Sequence, residues 1–167
     1  MTLAADPRHG SVPRRPDPRP RPADRPVEFW STAAIRSALQ SGDITTWQQI
    51  VVALKRDPYG RTARQVEEVL EGTPPYGISK ALSEVLARTR AHLEANERAE
   101  VARHMRLLIQ RSGLSQQEFA SRIGVPAEDL QHYLRGEGSP PASLMIRMRR
   151  LSDRFVKIQT QHSADTN

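Results

Sequence analysis

The sequence predicts an all-α protein, on three observations. From Val27 onward the apolar residues recur at i, i+3, i+4 and i+7, the spacing of one helix face. No stretch alternates apolar and polar residues with the period of two that a half-buried strand requires. No Gly or Pro interrupts the chain between Gly77 and Gly113, which permits one long helix there.

Residues 1–26 hold seven of the thirteen prolines, interleaved with Arg and Asp. Proline removes backbone donors and little in the segment can be buried, so it reads as a disordered leader, either plain or serving as a basic arm toward phosphates. A helical module follows over residues 27–95. Its first helix, capped by Ser31 or Thr32, runs to about Ser41, buries Ala34, Ile35, Ala38 and Leu39, and stops at Gly42. The second runs from near Thr45 or Thr46 to about Arg56, with Trp47, Ile50, Val51 and Leu54 inward. DPYG at 57–60 is a turn, and Thr62 is the expected N-cap of a third helix with Val66, Val69 and Leu70 inward and Gly72 at its end.

TPPYG at 73–77 breaks the chain, and a fourth helix starts close to Tyr76. Ile78, Ala81, Leu82, Val85 and Leu86 form its stripe, which lapses between Leu93 and Val101. The lapse fits a solvent-exposed connecting helix, a rod of about 50 Å from Ile78 to Arg111, or a break with Asn96 capping a new helix; the lack of Gly and Pro favours the rod.

Residues 96–158 carry the strongest pattern. VARHMRLLIQRSG places Val101, Met105, Leu108 and Ile109 inward and stops at Gly113. Ser115 then caps a short helix, QQEFASRI, with Glu118 at the position a capping box requires. Gly124 and Val125 make a tight turn, Leu130, Tyr133 and Leu134 supply the buried side of the next helix, and Gly136 ends it. Leu144, Met145, Met148, Leu151 and Phe155 then read as core, or as part of a dimer interface. After about Gln159 the chain is polar, and residues 159–167 are expected to be a flexible tail.

GLSQQEFASRIGV, then Leu130 and Tyr133, then Arg135 and Gly136 with a Pro-rich loop before SLMIRMRRL, resembles the Cro/C1-type (XRE-like) helix-turn-helix family over about residues 101–155. The resemblance implies a helical bundle that binds operator DNA, usually as a dimer, with the recognition helix, here about 126–135, in the major groove. Position by position it assigns Ser115, Gln116 and Gln117 to the start of the phosphate-facing helix. Ala127, Glu128, Gln131, His132 and Arg135 fall on the outward face of the recognition helix. Gln131 suits adenine, Arg135 phosphate or guanine, and Glu128 a cytosine amino group. Pro126 stands where Ser or Thr usually caps, and Glu128 with Asp129 stands where basic or neutral residues are common. Acids there favour the helix dipole and oppose phosphates. Arg147, Arg149, Arg150 and Arg154 read either as phosphate contacts or as a solvated face.

Residues 47–90 can be laid on the same template with a longer turn, a divergent helix-turn-helix. On that reading Tyr76, Ser79 and Lys80 face outward toward a second stretch of DNA, and Arg61 and Arg64 are further phosphate candidates. The alternative is a helical scaffold or dimerisation module in which Trp30, Trp47 and Tyr59 simply pack.

The totals bound these readings. Twenty-two Arg and three Lys give a formal charge of +6, divided as +3 over residues 1–26, −1 over 27–100, +5 over 101–158 and −1 over the tail. A basic excess on the helix-turn-helix segment points to a polyanionic partner. There is no Cys, which excludes disulfides, thiol nucleophiles and thiolate metal sites. The five His are scattered, and no Gly-rich phosphate loop or G-x-S-x-G motif occurs. Glu67, Glu68 and Glu71 fit a solvated helix face better than an acid–base pair. Neither catalysis, metal nor cofactor is expected. No apolar run approaches the roughly 20 residues needed to span a bilayer, so the expected location is cytoplasmic, or on the nucleoid when bound to DNA. The Arg and Ala richness fits a GC-rich bacterial genome. The functional expectation is a sequence-specific DNA-binding transcriptional regulator acting on double-stranded DNA, with homodimerisation in prospect. The alternative is a protein-interaction module of antitoxin or adaptor type that keeps the fold and engages a protein through residues 27–95.

Overall fold

Among the described residues seven α-helices follow one another, α1 Thr32–Ser41, α2 Ile44–Arg56, α3 Arg61–Glu71, α4 Ile78–Ser112, α5 Gln116–Ile123, α6 Ala127–Leu134 and α7 Ala142–Asp165. A 3₁₀ turn at Val27–Phe29 precedes them. The computed structural model describes residues 25–72 and 77–165, and no strand occurs among them; the protein is all-α. Nearly all of the proline-rich leader and residues 73–76 of the TPPYG break lie outside the described residues. The chain divides into two compact units, one ending at Ser79 and one beginning at Lys80, so the division falls in the first turn of α4 and not between residues 95 and 96.

In the first unit α1, α2 and α3 pack on one another around Ile35, Ile50, Leu54, Ala63, Val66 and Val69. Ser31 caps α1 as expected, its side chain accepting from the Ala34 amide, and Gly42 ends the helix at φ 69°, a conformation that costs a glycine nothing. Of the residues expected to line the core, Ile35 is fully buried, whereas Ala34, Ala38 and Leu39 are half-buried.

One cap was not foreseen and one differs from expectation. Helix α2 starts at Ile44, because Asp43 accepts from the amides of both Thr45 and Thr46. The threonines that resemble caps are therefore what is capped. In α3 the N-cap is Gly60, and Thr62 is a buried second residue of the helix. A Cβ at Gly60 would lie 2.0 Å from an Asp57 carboxylate oxygen, so a larger residue there requires that side chain to turn aside.

Helix α4 is continuous for 35 residues, the rod and not the break at Asn96. Leu82 and Leu86 are buried and Ala81 and Val85 half-buried, but Ile78 is exposed. In the second unit Met105, Leu108, Ile109, Phe119, Ala120, Ile123, Leu130, Leu134, Leu144, Met148 and Leu151 form one core. Val101, Tyr133, Met145 and Phe155 are partly buried against it. Each large apolar side chain so buried contributes on the order of 2 kcal/mol, which makes this core, and not helix propensity, the source of order in the eight-residue helices α5 and α6.

The C-terminal segment departs from the frayed tail expected after Gln159, since α7 runs to Asp165. Its polar side chains bond their own helix: Thr160 donates to the Val156 and Lys157 carbonyls and Ser163 to the Gln159 carbonyl. Gln159 also donates to the Ser112 carbonyl at 2.9 Å and so ties α7 to the end of α4.

Candidate functional site

The segment from Ser115 to Gly138 is a helix, a tight turn, a second helix and a loop, and local chemistry fixes each join. Ser115 Oγ accepts from the Glu118 amide at 3.2 Å. Only this half of the capping box forms, because the Glu118 carboxylate is taken by Arg122, whose Nε and Nη2 donate to it at 3.1 and 2.8 Å. Arg122 also lies over the Phe155 ring, 5.0 Å from its centroid, which holds the outer side of α5 against α7.

After Ile123 the chain reverses at Gly124, φ 71°. The Val125 amide donates back to the Ala120 carbonyl and the Gly124 amide to that of Ser121, the paired bonds of a Schellman close. Helix α6 then begins without a side-chain cap, Pro126 supplying only its carbonyl to the Leu130 amide. Its C-terminus closes like that of α5: Gly136 has φ 73°, Glu137 donates to the His132 carbonyl and Gly136 to that of Tyr133.

Leu130 and Leu134 fix the orientation of α6 by burial. Ala127, Glu128, Gln131, His132 and Arg135 are consequently exposed, and Ser115, Gln116 and Gln117 are exposed at the start of α5. All eight residues named from the sequence thus lie at the surface. Glu128 and Asp129 sit in the first turn of α6, where the positive end of the dipole favours them and where no side chain caps the amides.

The last turn of α6 carries an ion cluster. Arg135 Nη2 lies 2.9 Å from Glu137 Oε2, and His132 Nδ1 lies 3.2 Å from the same oxygen. The Arg135 guanidinium holds the Glu137 carboxyl below the ordinary glutamate range, His132 adding to the effect. The His132 ring meets Tyr133 edge-on, and a Cβ on Gly138 would lie 2.6 Å from its Nε2, so the loop passes close against the ring. Glu137 is the residue that sequence reading overlooks. The signal for it was the left-handed Gly136, which turns the following side chain back along the helix it has just ended.

Three arginines, Arg98, Arg106 and Arg147, donate to backbone carbonyls at helix ends. Arg106 donates to the Leu134 carbonyl at 2.5 Å and Arg98 to that of Gly136 at 3.3 Å, so α4 satisfies the C-terminus of α6. Arg147 donates to the Ile123 carbonyl at 2.8 Å and does the same for α5. Arg147 is exposed, as are Arg149, Arg150 and Arg154, and differs from those three in this bond to the end of α5.

Of the second expected contact, one residue departs from its outward placement. Tyr76 lies outside the described residues, Lys80 is exposed, and Ser79 is buried at 9%. Ser79 shares the face of Leu82 and Leu86, three and seven residues on, and that spacing turns it inward. Arg61 and Arg64 are exposed on α3. No group of three His, Asp or Glu that could hold a metal ion occurs among the described residues, and no helix among them is long and apolar enough to cross a membrane. No protein-family model, curated protein or solved structure matches the chain.

Proposed function

We propose that residues 96–158 form a helix-turn-helix domain of Cro/C1 type and that the protein is a sequence-specific transcriptional regulator that binds double-stranded DNA, as a homodimer. The observation that carries this reading is α6, an eight-residue helix pinned by Leu130 and Leu134 and presenting Gln131, His132 and Arg135 to solvent. It lies in residues 101–158, which carry a formal charge of +5 against +6 for the whole chain. Gln131 matches the donor–acceptor edge of adenine and Arg135 that of guanine. At the start of α5 the Ser115 oxygen is occupied by the Glu118 amide, which leaves its hydroxyl proton and the Gln116 and Gln117 amides to meet a phosphate. Arg149, Arg150 and Arg154 add sequence-independent attraction.

The test is selection of bound sequences from random duplex DNA at two salt concentrations, with the wild-type chain and with Gln131→Ala and Arg135→Ala combined. An enriched motif that the double variant loses supports the assignment, and half-sites about 34–36 Å apart support the dimer. No enrichment at either salt concentration overturns it.

A specific observation favours a second role, a protein partner engaged through residues 27–95. Phe29 and Ile44 are each 69% exposed and Val52 56%, apolar side chains that a partner could cover. Val52 lines a surface groove with Glu28, Thr45, Gln48 and Arg56. Stoichiometric association with one protein, lost in Ile44→Glu and Val52→Glu while DNA binding persists, supports this role; loss of neither refutes it.

A further inference from the structure

Glu137 does something that the DNA-binding reading alone does not require. Its carboxylate bridges Arg135 and His132, two of the polar side chains assigned to read or hold DNA. The bridge is built by the backbone and not by chance encounter of mobile side chains. Gly136 reverses the chain at φ 73°, the Glu137 amide is bonded to the His132 carbonyl at 3.2 Å, and the Arg98 guanidinium holds the Gly136 carbonyl from α4. Gly138 then gives the His132 ring room against the loop. The charged groups bonded to this end of α6 are Arg98 and Arg106 from α4, on the Gly136 and Leu134 carbonyls, and the cluster's own members.

We propose that Glu137 is a specificity-determining residue, an internal competitor that holds Arg135 and His132 until a DNA site replaces both of its bonds. The inference rests on the DNA-binding reading. Sequence-independent attraction scales with the cations available to phosphates, and a paired Arg135 is withdrawn from that count. A phosphate that meets Arg135 alone breaks one strong charge-assisted bond to make another, for little gain. A site whose base edge takes the Arg135 fork while a phosphate or base meets His132 replaces both and recovers the exchange. The carboxylate thus weakens wrong complexes more than right ones, which is how a repulsive element raises discrimination.

The test compares the full-length wild type with Glu137→Gln by fluorescence anisotropy, on the selected duplex and on a scrambled duplex of equal length. Glu137→Gln is expected to tighten scrambled-duplex binding by roughly two- to fivefold, the scale of one exposed ion pair, and to change selected-duplex binding less, so that the ratio of the two falls. Carbon NMR of the Glu137 carboxyl supplies a readout that a structural role would not move. Its titration lies below the ordinary glutamate range in the free protein and returns toward that range when the selected duplex is bound and Arg135 is drawn away.

Equal binding of both duplexes by wild type and variant, or a carboxyl titration unmoved by DNA, overturns the proposal while leaving DNA binding in place. Failure of both proteins to bind any duplex overturns the DNA-binding reading and this inference with it.

Discussion

The Arg147 guanidinium donates to the Ile123 carbonyl at 2.8 Å, joining α7 to the last turn of α5 across 24 residues of chain. An arginine that sequence alone places with its exposed neighbours is thereby a fastening of the turn before α6. Its replacement by Ala is expected to lower stability by about 1–2 kcal/mol, the range for a hydrogen bond from a charged donor. Arg149→Ala and Arg150→Ala are expected to leave stability within about 0.5 kcal/mol. If DNA is bound, those two substitutions reduce the dependence of affinity on salt by about one phosphate contact each. Thermal melts and salt titrations of the three variants separate the roles; equal melting temperatures in all three would refute the fastening.

Gly124 and Gly136 close α5 and α6 in the left-handed region, and the structure leaves no Cβ clash at either, the nearest atoms lying 3.8 Å away. Substitution by Ala is therefore a test of backbone conformation alone. Each is expected to cost about 1–2 kcal/mol, measured by denaturant unfolding, and Asn at the same positions less than Ala.

Ser152 is fully buried on α7, and its Oγ makes no hydrogen bond among the described residues. A buried hydroxyl without a partner is destabilising, and Ala is the better helix former. Ser152→Ala is expected to leave stability unchanged or raise it by up to about 1 kcal/mol. A loss of more than that in denaturant unfolding would mean that the hydroxyl has found a partner.

Asp43 gives the pH dependence of the first unit. The bonds from Thr46, side chain first and then backbone, hold its carboxyl below its ordinary value of 3.8. A carboxyl lowered by folding adds stability above the unfolded pKa and loses it as pH falls through the folded one. Asp43→Asn is expected to melt a few degrees below wild type at neutral pH, and the gap to close progressively below about pH 4. Melting curves across that range that stay parallel would refute the cap.

Truncation tests the end of α7. Gln159 donates to the Ser112 carbonyl, and a Cβ on Gly113 would lie 2.5 Å from its amide nitrogen. A chain ending at Ile158 is expected to melt lower than one ending at Thr160, whereas loss of residues 161–167 alone changes little. Identical melts of the two truncated chains would show that the contact adds nothing.

Much of this was legible from the sequence because it is local. Ser31, Ser115, Gly42, Gly113, Gly124 and Gly136 act within one turn of where they stand, and Ile50, Leu54, Leu130 and Leu134 announce their burial by spacing. The one misread cap arose where neighbours compete for one role: Gly60 precedes α3 as its N-cap, and Thr62, which looks like the cap, is the buried second residue of the helix. What no local pattern could give is pairing over distance. Arg98, Arg106 and Arg147 look like the other nineteen arginines until the fold brings a helix C-terminus to each. At the candidate site the exposed face was legible, but the Glu137 bridge depends on the path of the chain after Gly136.

Helix α6 is fastened at one end only. Its final carbonyls are held by Arg106 and Arg98, its buried side by Leu130 and Leu134, and its first turn by no side chain at all. Those anchors leave Ala127, Glu128, Gln131 and His132 outside the framework that keeps the helix in place. The positions that would decide which sequence is recognised can therefore be rewritten, by drift or by a protein engineer, without refolding the domain beneath them.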